Sequence, residues 1–233
     1  MTMDTLELIE RRKSLRAYDD RPVQQETRRK ILESALRAPT AGALMLYSII
    51  EIDSPELKEA LSHTCDEQPF IAAAPWLVLF AADYQRLYDA WLADGRPPKR
   101  KPGSGDLYLA CCDALIAAQT AVLAAEALGL GSCYIGDIIE NAEKQRELLQ
   151  LPDYVFPAAL LCFGYPPAND NRKTSPRLRL ESVLHKDIYE KKNRTGDGVE
   201  NSVIDRGLKK FEADFSVEMS RSMDVWLEKW ERT

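Results

Sequence analysis

Two histidines in 233 residues, His63 and His185, leave no pair in metal-ligand spacing. Five cysteines, Cys65, Cys111, Cys112, Cys133 and Cys162, are odd in number and contain no C-x-x-C pair. A zinc centre, a disulfide framework and a Ser/His/Asp or Cys/His nucleophilic set are therefore not expected, and reduced, buried thiols are the default. No G-x-G-x-x-G follows a strand pattern, so a resident Rossmann site for a nicotinamide dinucleotide is not supported. An uninterrupted apolar run of about eighteen residues is also missing, and Met1-Thr2-Met3-Asp4 lacks the basic-then-apolar start of a secretory signal. These absences predict a soluble, cytoplasmic protein with no membrane partner. A formal net charge of −6 disfavours nucleic acid as a partner, although local basic patches such as Lys99-Arg100-Lys101 suit a small anion. Internal repeats and low-complexity segments are absent as well.

What is present suits one full core: 45% of the residues are hydrophobic. Residues 4–12 read as a short helix and 23–38 as a longer one, stopped by Pro39. The runs 46–52 and 76–82 read as strands, the second continuous enough to be central. Between them Ser54-Pro55 marks a helix start, with Ser54 as N-cap. The longest helical pattern, 107–128, is apolar almost all round and is expected at the centre of the molecule. Strands follow at 132–135 and 155–163. Alternating helices and strands give an α+β fold, a mixed sheet packed between helices.

The richest stretch is Arg11-Arg12-Lys13-Ser14-Leu15-Arg16-Ala17-Tyr18. Arg12, Ser14 and Arg16 are two apart, so in an extended backbone they point the same way and can converge on an anion such as phosphate. Taken alone, the same residues also describe a solvated basic patch.

Further segments, in order, decide between these readings: Ala38-Pro39-Thr40-Ala41-Gly42, Gln68-Pro69-Phe70-Ile71-Ala72, Asp113 to Gln119, Leu128-Gly129-Leu130-Gly131-Ser132-Cys133-Tyr134-Ile135-Gly136, Gly164-Tyr165-Pro166 and Pro176-Arg177. With the basic segment, they resemble the nitroreductase family of FMN-dependent oxidoreductases over roughly residues 4–189. The resemblance implies an intertwined homodimer with two interface flavins and ping-pong transfer from NAD(P)H, through flavin N5, to a nitroaromatic or quinone-like acceptor. The flavin carries the chemistry, and no side chain is assigned as catalytic. Arg12, Ser14 and Arg177 are implied phosphate ligands, with Lys13 contributing through its backbone. Arg16 belongs near the flavin N1 and O2 edge. Ile135 and Gly136 present a peptide N–H to N5 or O4, and Gln68 is a candidate for the flavin or the ribityl chain. The loop containing Pro39, Thr40, Ala41 and Ala43 reaches the flavin of the opposite subunit. Asp113 is structural, with a partner the sequence does not name. A specialised flavin reaction such as reductive dehalogenation, and an FMN-binding or storage protein without turnover, remain open as alternatives.

Departures from the family pattern are specific. Ala43 and Met45 stand where the family commonly has Asn and Gln, and Ser175 stands where it often has lysine, with Lys173 and Arg179 nearby. The aromatics Tyr84, Tyr88 and Trp91, with the basic loop 95–105, correspond to an insertion that covers the flavin in the family or else forms a surface loop. The FMN-binding domain is assigned to residues 1–190 and a C-terminal extension to 191–233. In the extension Ile204, Leu208, Phe211, Phe215, Met219, Met223, Trp226 and Trp230 recur three or four apart. This stripe is read as a helical arm that packs on its own core or wraps a partner subunit.

Overall fold

A computed structural model describes residues 4–95, 100–191, 198–212 and 217–232. Helices α1 (Thr5–Arg11) and α2 (Gln25–Ala35) lead to strand β1 (Tyr47–Ile52). Helices α3 (Pro55–Thr64) and α4 (Pro69–Ala72) precede β2 (Trp76–Asp83), after which come α5 (Gln85–Ala93) and the long α6 (Ser104–Ala127). Strand β3 (Gly131–Ile135), α7 (Ala142–Leu149) and β4 (Val155–Gly164) complete the sheet, followed by α8 (Leu180–Val183), α9 (Gly198–Glu212) and α10 (Val217–Arg232).

The sheet order is β1-β2-β4-β3, so the two most apolar strands are central. Every residue of β2 and β4 is buried, as their unbroken hydrophobic runs require of strands covered on both faces. One core layer joins the sheet to α2 and α6, and the other joins it to α3 and α4 through Leu61, Cys65 and Ile71. The α+β layering is as predicted. All four named strands pair antiparallel, however, and the mixed character comes from a single parallel bridge between Ser14 and Ser132.

Helix α6 lies against this sheet along Ala110, Ala114, Ala117, Ala118, Ala121 and Ala125, a face of small side chains that allows close approach. Among the described residues it is the one helix long and apolar enough to cross a membrane by length and composition, yet one side of it is core. Helix α3 begins as predicted: Pro55 is at its first turn and the Ser54 hydroxyl accepts from the Leu57 N–H at 3.2 Å.

Two regions left open by the sequence are placed by the structure. Tyr84 belongs to the core, and Tyr88 and Trp91 are partly buried against it. Tyr84 is buried with Trp91 at 6.3 Å, and Tyr88 meets the Tyr154 ring edge-on at 4.9 Å. In the tail, helices α9 and α10 are described, and α10 packs on its own chain, one of the two arrangements expected of the stripe. Trp226 is buried edge-on against Phe156 at 5.0 Å, and the Ser222 hydroxyl accepts from the Ala142 N–H at 2.9 Å, capping the start of α7. The basic-loop residues 96–99, the polar stretch 192–197 and the side chains of Phe211, Phe215 and Trp230 lie outside the described residues.

Candidate active site

Helix α1 ends at Arg11, and Arg12 turns the chain into an extended path (φ −55°, ψ 129°). Leu15 is fully buried, and its N–H donates to the Ser132 carbonyl at 2.8 Å. With Leu15 inserted in the core, its neighbours of opposite parity are turned outward. The fit is tight because Gly131 and Gly164 stand opposite each other in the β3/β4 register. A Cβ on Gly131 would lie 2.7 Å from Leu15 Cδ2, and one on Gly164 would lie 2.5 Å from Tyr18 Cδ1. Both glycines give the segment room to lie across the strand ends.

The outward residues Arg12, Ser14 and Arg16 line one cavity of about 680 Å³, and Arg172, Lys173 and Arg177 form its other wall. Lys13 lines it too, and Glu10 is the only carboxylate in the lining among the described residues. Two of the cations share one carboxylate. Asp170 pairs with Arg172 at 2.7 Å and with Lys13 at 3.7 Å, and Arg172 holds its carboxyl well below the usual carboxylate value, mainly by hydrogen bonding. Arg12, Arg16 and Lys173 have no ion pair among the described residues. Arg177 donates to the carbonyls of Ser175 and Pro176, each at 3.2 Å. Behind the cations, burial raises the pKa of the Glu126 carboxyl, opposed by Arg12, Arg172 and Lys13. Ser132, which bridges Ser14, has a buried hydroxyl with no hydrogen-bond partner among the described residues. Several cations and a hydroxyl facing one space of this size suit a phosphate-bearing ligand.

Arg16 also borders a second cavity of about 590 Å³ with Tyr18, Pro69, Phe70 and Pro75. Its guanidinium carbon lies 5.7 Å from the centre of the Phe70 ring. Ile135 is buried at the end of β3, and Gly136 has an ordinary φ of −74° with Met219 of α10 alongside. Gln68 is engaged within the protein: its amide donates to Asp137 at 2.5 Å and to the Cys65 carbonyl at 2.8 Å. Gln68, Ile135 and Gly136 lie outside the lining of the cationic cavity, as do Pro39, Thr40, Ala41 and Ala43.

Asp113 holds the loop that carries those last residues. From the buried face of α6 its carboxylate accepts from the Thr40 hydroxyl, the Ala41 N–H at 3.0 Å and the Leu46 N–H at 3.1 Å. The Thr40 oxygen in turn accepts from the Met45 N–H at 2.9 Å. Within this clamp Gly42, Ala43 and Met45 all take left-handed backbone, with φ of 55°, 57° and 50°.

The nitroreductase family model matches residues 9–165, more than half of the chain. The chain belongs to the nitroreductase family. A Bacillus subtilis relative named FMN reductase (NAD(P)H) is 37% identical over 179 residues, covering 76% of this chain and 71% of the relative. A Staphylococcus epidermidis NADPH-dependent oxidoreductase is 32% identical over 186 residues, 79% of this chain and 73% of its own. In three dimensions, the NADPH:FMN oxidoreductase of Vibrio harveyi, solved in complex with NAD+, aligns over 97% of each chain with a TM-score of 0.81 and 25% identity.

In this nitroreductase Ala43, where the resemblance implies Asn, has left-handed backbone, which gives that position a reason for Asn. Asn is the non-glycine residue that best tolerates left-handed φ. Two residues the sequence reading did not single out, Arg172 and Asp170, stand beside the cavity. Their separation from the basic segment, about 160 residues, left no local signal.

Proposed function

We propose that this nitroreductase uses FMN to pass reducing equivalents from NAD(P)H to a small organic acceptor of nitroaromatic or quinone type, as a cytoplasmic homodimer. One observation carries the reading: Arg12, Ser14, Arg16 and Arg177, drawn from two distant segments, face a single cavity in which Asp170 pairs with Lys13 and Arg172. When bound, FMN supplies hydride and electron transfer at its ring, and the protein supplies binding, orientation and electrostatics.

Arg12, Ser14 and Arg177 hold the phosphate, and Lys13 contributes through its main chain. Ser175 brings no cation to the cavity; Lys173, which lines it, takes that part. Arg16, at the junction of the two cavities, places positive charge at the ring edge and favours electron density there. The Ile135-Gly136 peptide serves the ring N5 side and Gln68, fixed by Asp137, the ribityl side. Pro39, Thr40, Ala41 and Ala43 form a loop directed at the flavin of the second subunit. NAD(P)H and acceptor enter in turn, consistent with the lack of a G-x-G-x-x-G dinucleotide site.

The test is direct. Purified protein should be yellow, release FMN and not FAD on denaturation, and oxidise NAD(P)H in the presence of nitroaromatic or quinone acceptors. A colourless protein that takes up no added FMN, or one that carries FAD, overturns the reading.

A further inference from the structure

Among the described residues six cations line the cationic cavity, but they are not equivalent. Arg172 spends its guanidinium on the protein. Its Nε donates to Asp170 Oδ1 at 2.7 Å and one terminal nitrogen to Oδ2 at 2.8 Å, a two-pronged pairing. The other terminal nitrogen donates to the main-chain carbonyls of Ser14 and, at 3.3 Å, of Lys13. Reciprocally, Lys13 Nζ donates to the Arg172 carbonyl and lies 3.7 Å from Asp170. Four of the five N–H groups of Arg172 are thereby used on neighbouring protein atoms.

We propose that Arg172 and Asp170 are positioning residues: a clamp that fixes the Lys13-Ser14 main chain, so that Arg12, Ser14 and Arg16 meet the FMN phosphate in a fixed array. Asp170 orients the guanidinium, and the guanidinium orients two carbonyls of the binding segment. The segment is thus fixed twice, by Leu15 packed in the core and by Arg172 bonded to the two carbonyls on either side of the Ser14 Cα. Lysine at 172 cannot do this, because an ammonium lacks the planar fork that reaches a carboxylate and two carbonyls together. The inference rests on the FMN reading given above.

The alternative role for Arg172 is direct phosphate charge, and the two roles predict opposite signs for one substitution. If Arg172 binds phosphate, Asp170→Asn frees it from its competitor and FMN binds more tightly. For the clamp, Asp170→Asn releases the fork, and FMN binding weakens about tenfold, as with Arg172→Ala. Arg172→Lys should resemble Arg172→Ala rather than wild type. Dissociation constants of apoprotein for FMN and for riboflavin, which lacks the phosphate, supply the decisive ratio. The clamp predicts that the variants lose FMN affinity while riboflavin affinity stays within about twofold. Equal loss of both flavins, tighter FMN binding by Asp170→Asn, or full rescue by Arg172→Lys would each overturn it. Failure of the FMN reading itself is seen separately, in wild-type protein that does not prefer FMN to riboflavin. Melting curves check that each variant is folded, and the Asp170→Asn comparison stands if Arg172→Ala is not.

Discussion

Ala43 and Met45 carry left-handed backbone without the residue type that tolerates it best. Such a conformation costs a non-glycine residue about 1–2 kcal/mol. Ala43→Gly should relieve part of this, and Ala43→Asn should raise stability by roughly 0.5–1 kcal/mol, read as an upward shift in melting temperature. Asp113 predicts the opposite outcome. Asp113→Ala would leave the Thr40 hydroxyl and the N–H groups of Ala41 and Leu46 without their partner. At about 1–3 kcal/mol for each group stranded, the loss should be at least 2 kcal/mol by denaturant unfolding. Asparagine, with one acceptor oxygen, should recover only part. At this scale the sequence is readable where the partners are local. Ser54 caps the helix three residues on, and Arg12, Ser14 and Arg16 share a side because of strand parity. Asp113 shows the limit, since its partners lie 67 to 73 residues away and only the fold brings them near.

Among the elements, the buried strands and α6 are legible because continuous apolar runs have few other solutions, whereas α5 is not. Its aromatics look like loop material until Tyr154 arrives from beyond β3 to receive Tyr88. Helix α10 is a similar case. Its apolar stripe is visible in sequence, but what covers it is set by Phe156 and the start of α7. Trp226→Ala should therefore cost about 3–5 kcal/mol, the range for emptying a buried aromatic site, and should do so at protein concentrations where any oligomer is dissociated. A cost that appears only in the dimer would assign the tryptophan to the subunit interface. The segment after β4 makes its own pH prediction through Asp170, whose carboxyl is lowered by Arg172. A lowered folded value means that the pairing stabilises fully above the unfolded value of about 3.9 and is lost as pH falls through the folded one. The stability gap between wild type and Asp170→Asn should thus be flat from pH 8 to about 5 and shrink below about 4.

For the whole molecule, the resemblance carried by the motifs and their order suffices to name an α+β nitroreductase, but it leaves the strand order β1-β2-β4-β3 and the shape of the cavity unwritten. Both come from long-range packing, in which one face of a helix as apolar as α6 is buried on the sheet. Even the thiols take their character from the fold: burial pushes Cys65 and Cys162 up to about 12. They should resist alkylation at neutral pH in the folded protein and react promptly after denaturation.

The placement of Leu15 against Gly131 has a thermal consequence. A binding segment whose middle residue is core cannot detach while the core stays intact, so its ligand has no separate route of release by local melting. On heating, flavin fluorescence should therefore rise at the same midpoint as far-UV circular dichroism falls, and excess FMN at 100 times its dissociation constant should move both together, by about 2.7 kcal/mol. Gly131→Ala, which drives a methyl into Leu15, should split the two curves, with flavin leaving first. The cofactor would then report on the packing of a single leucine.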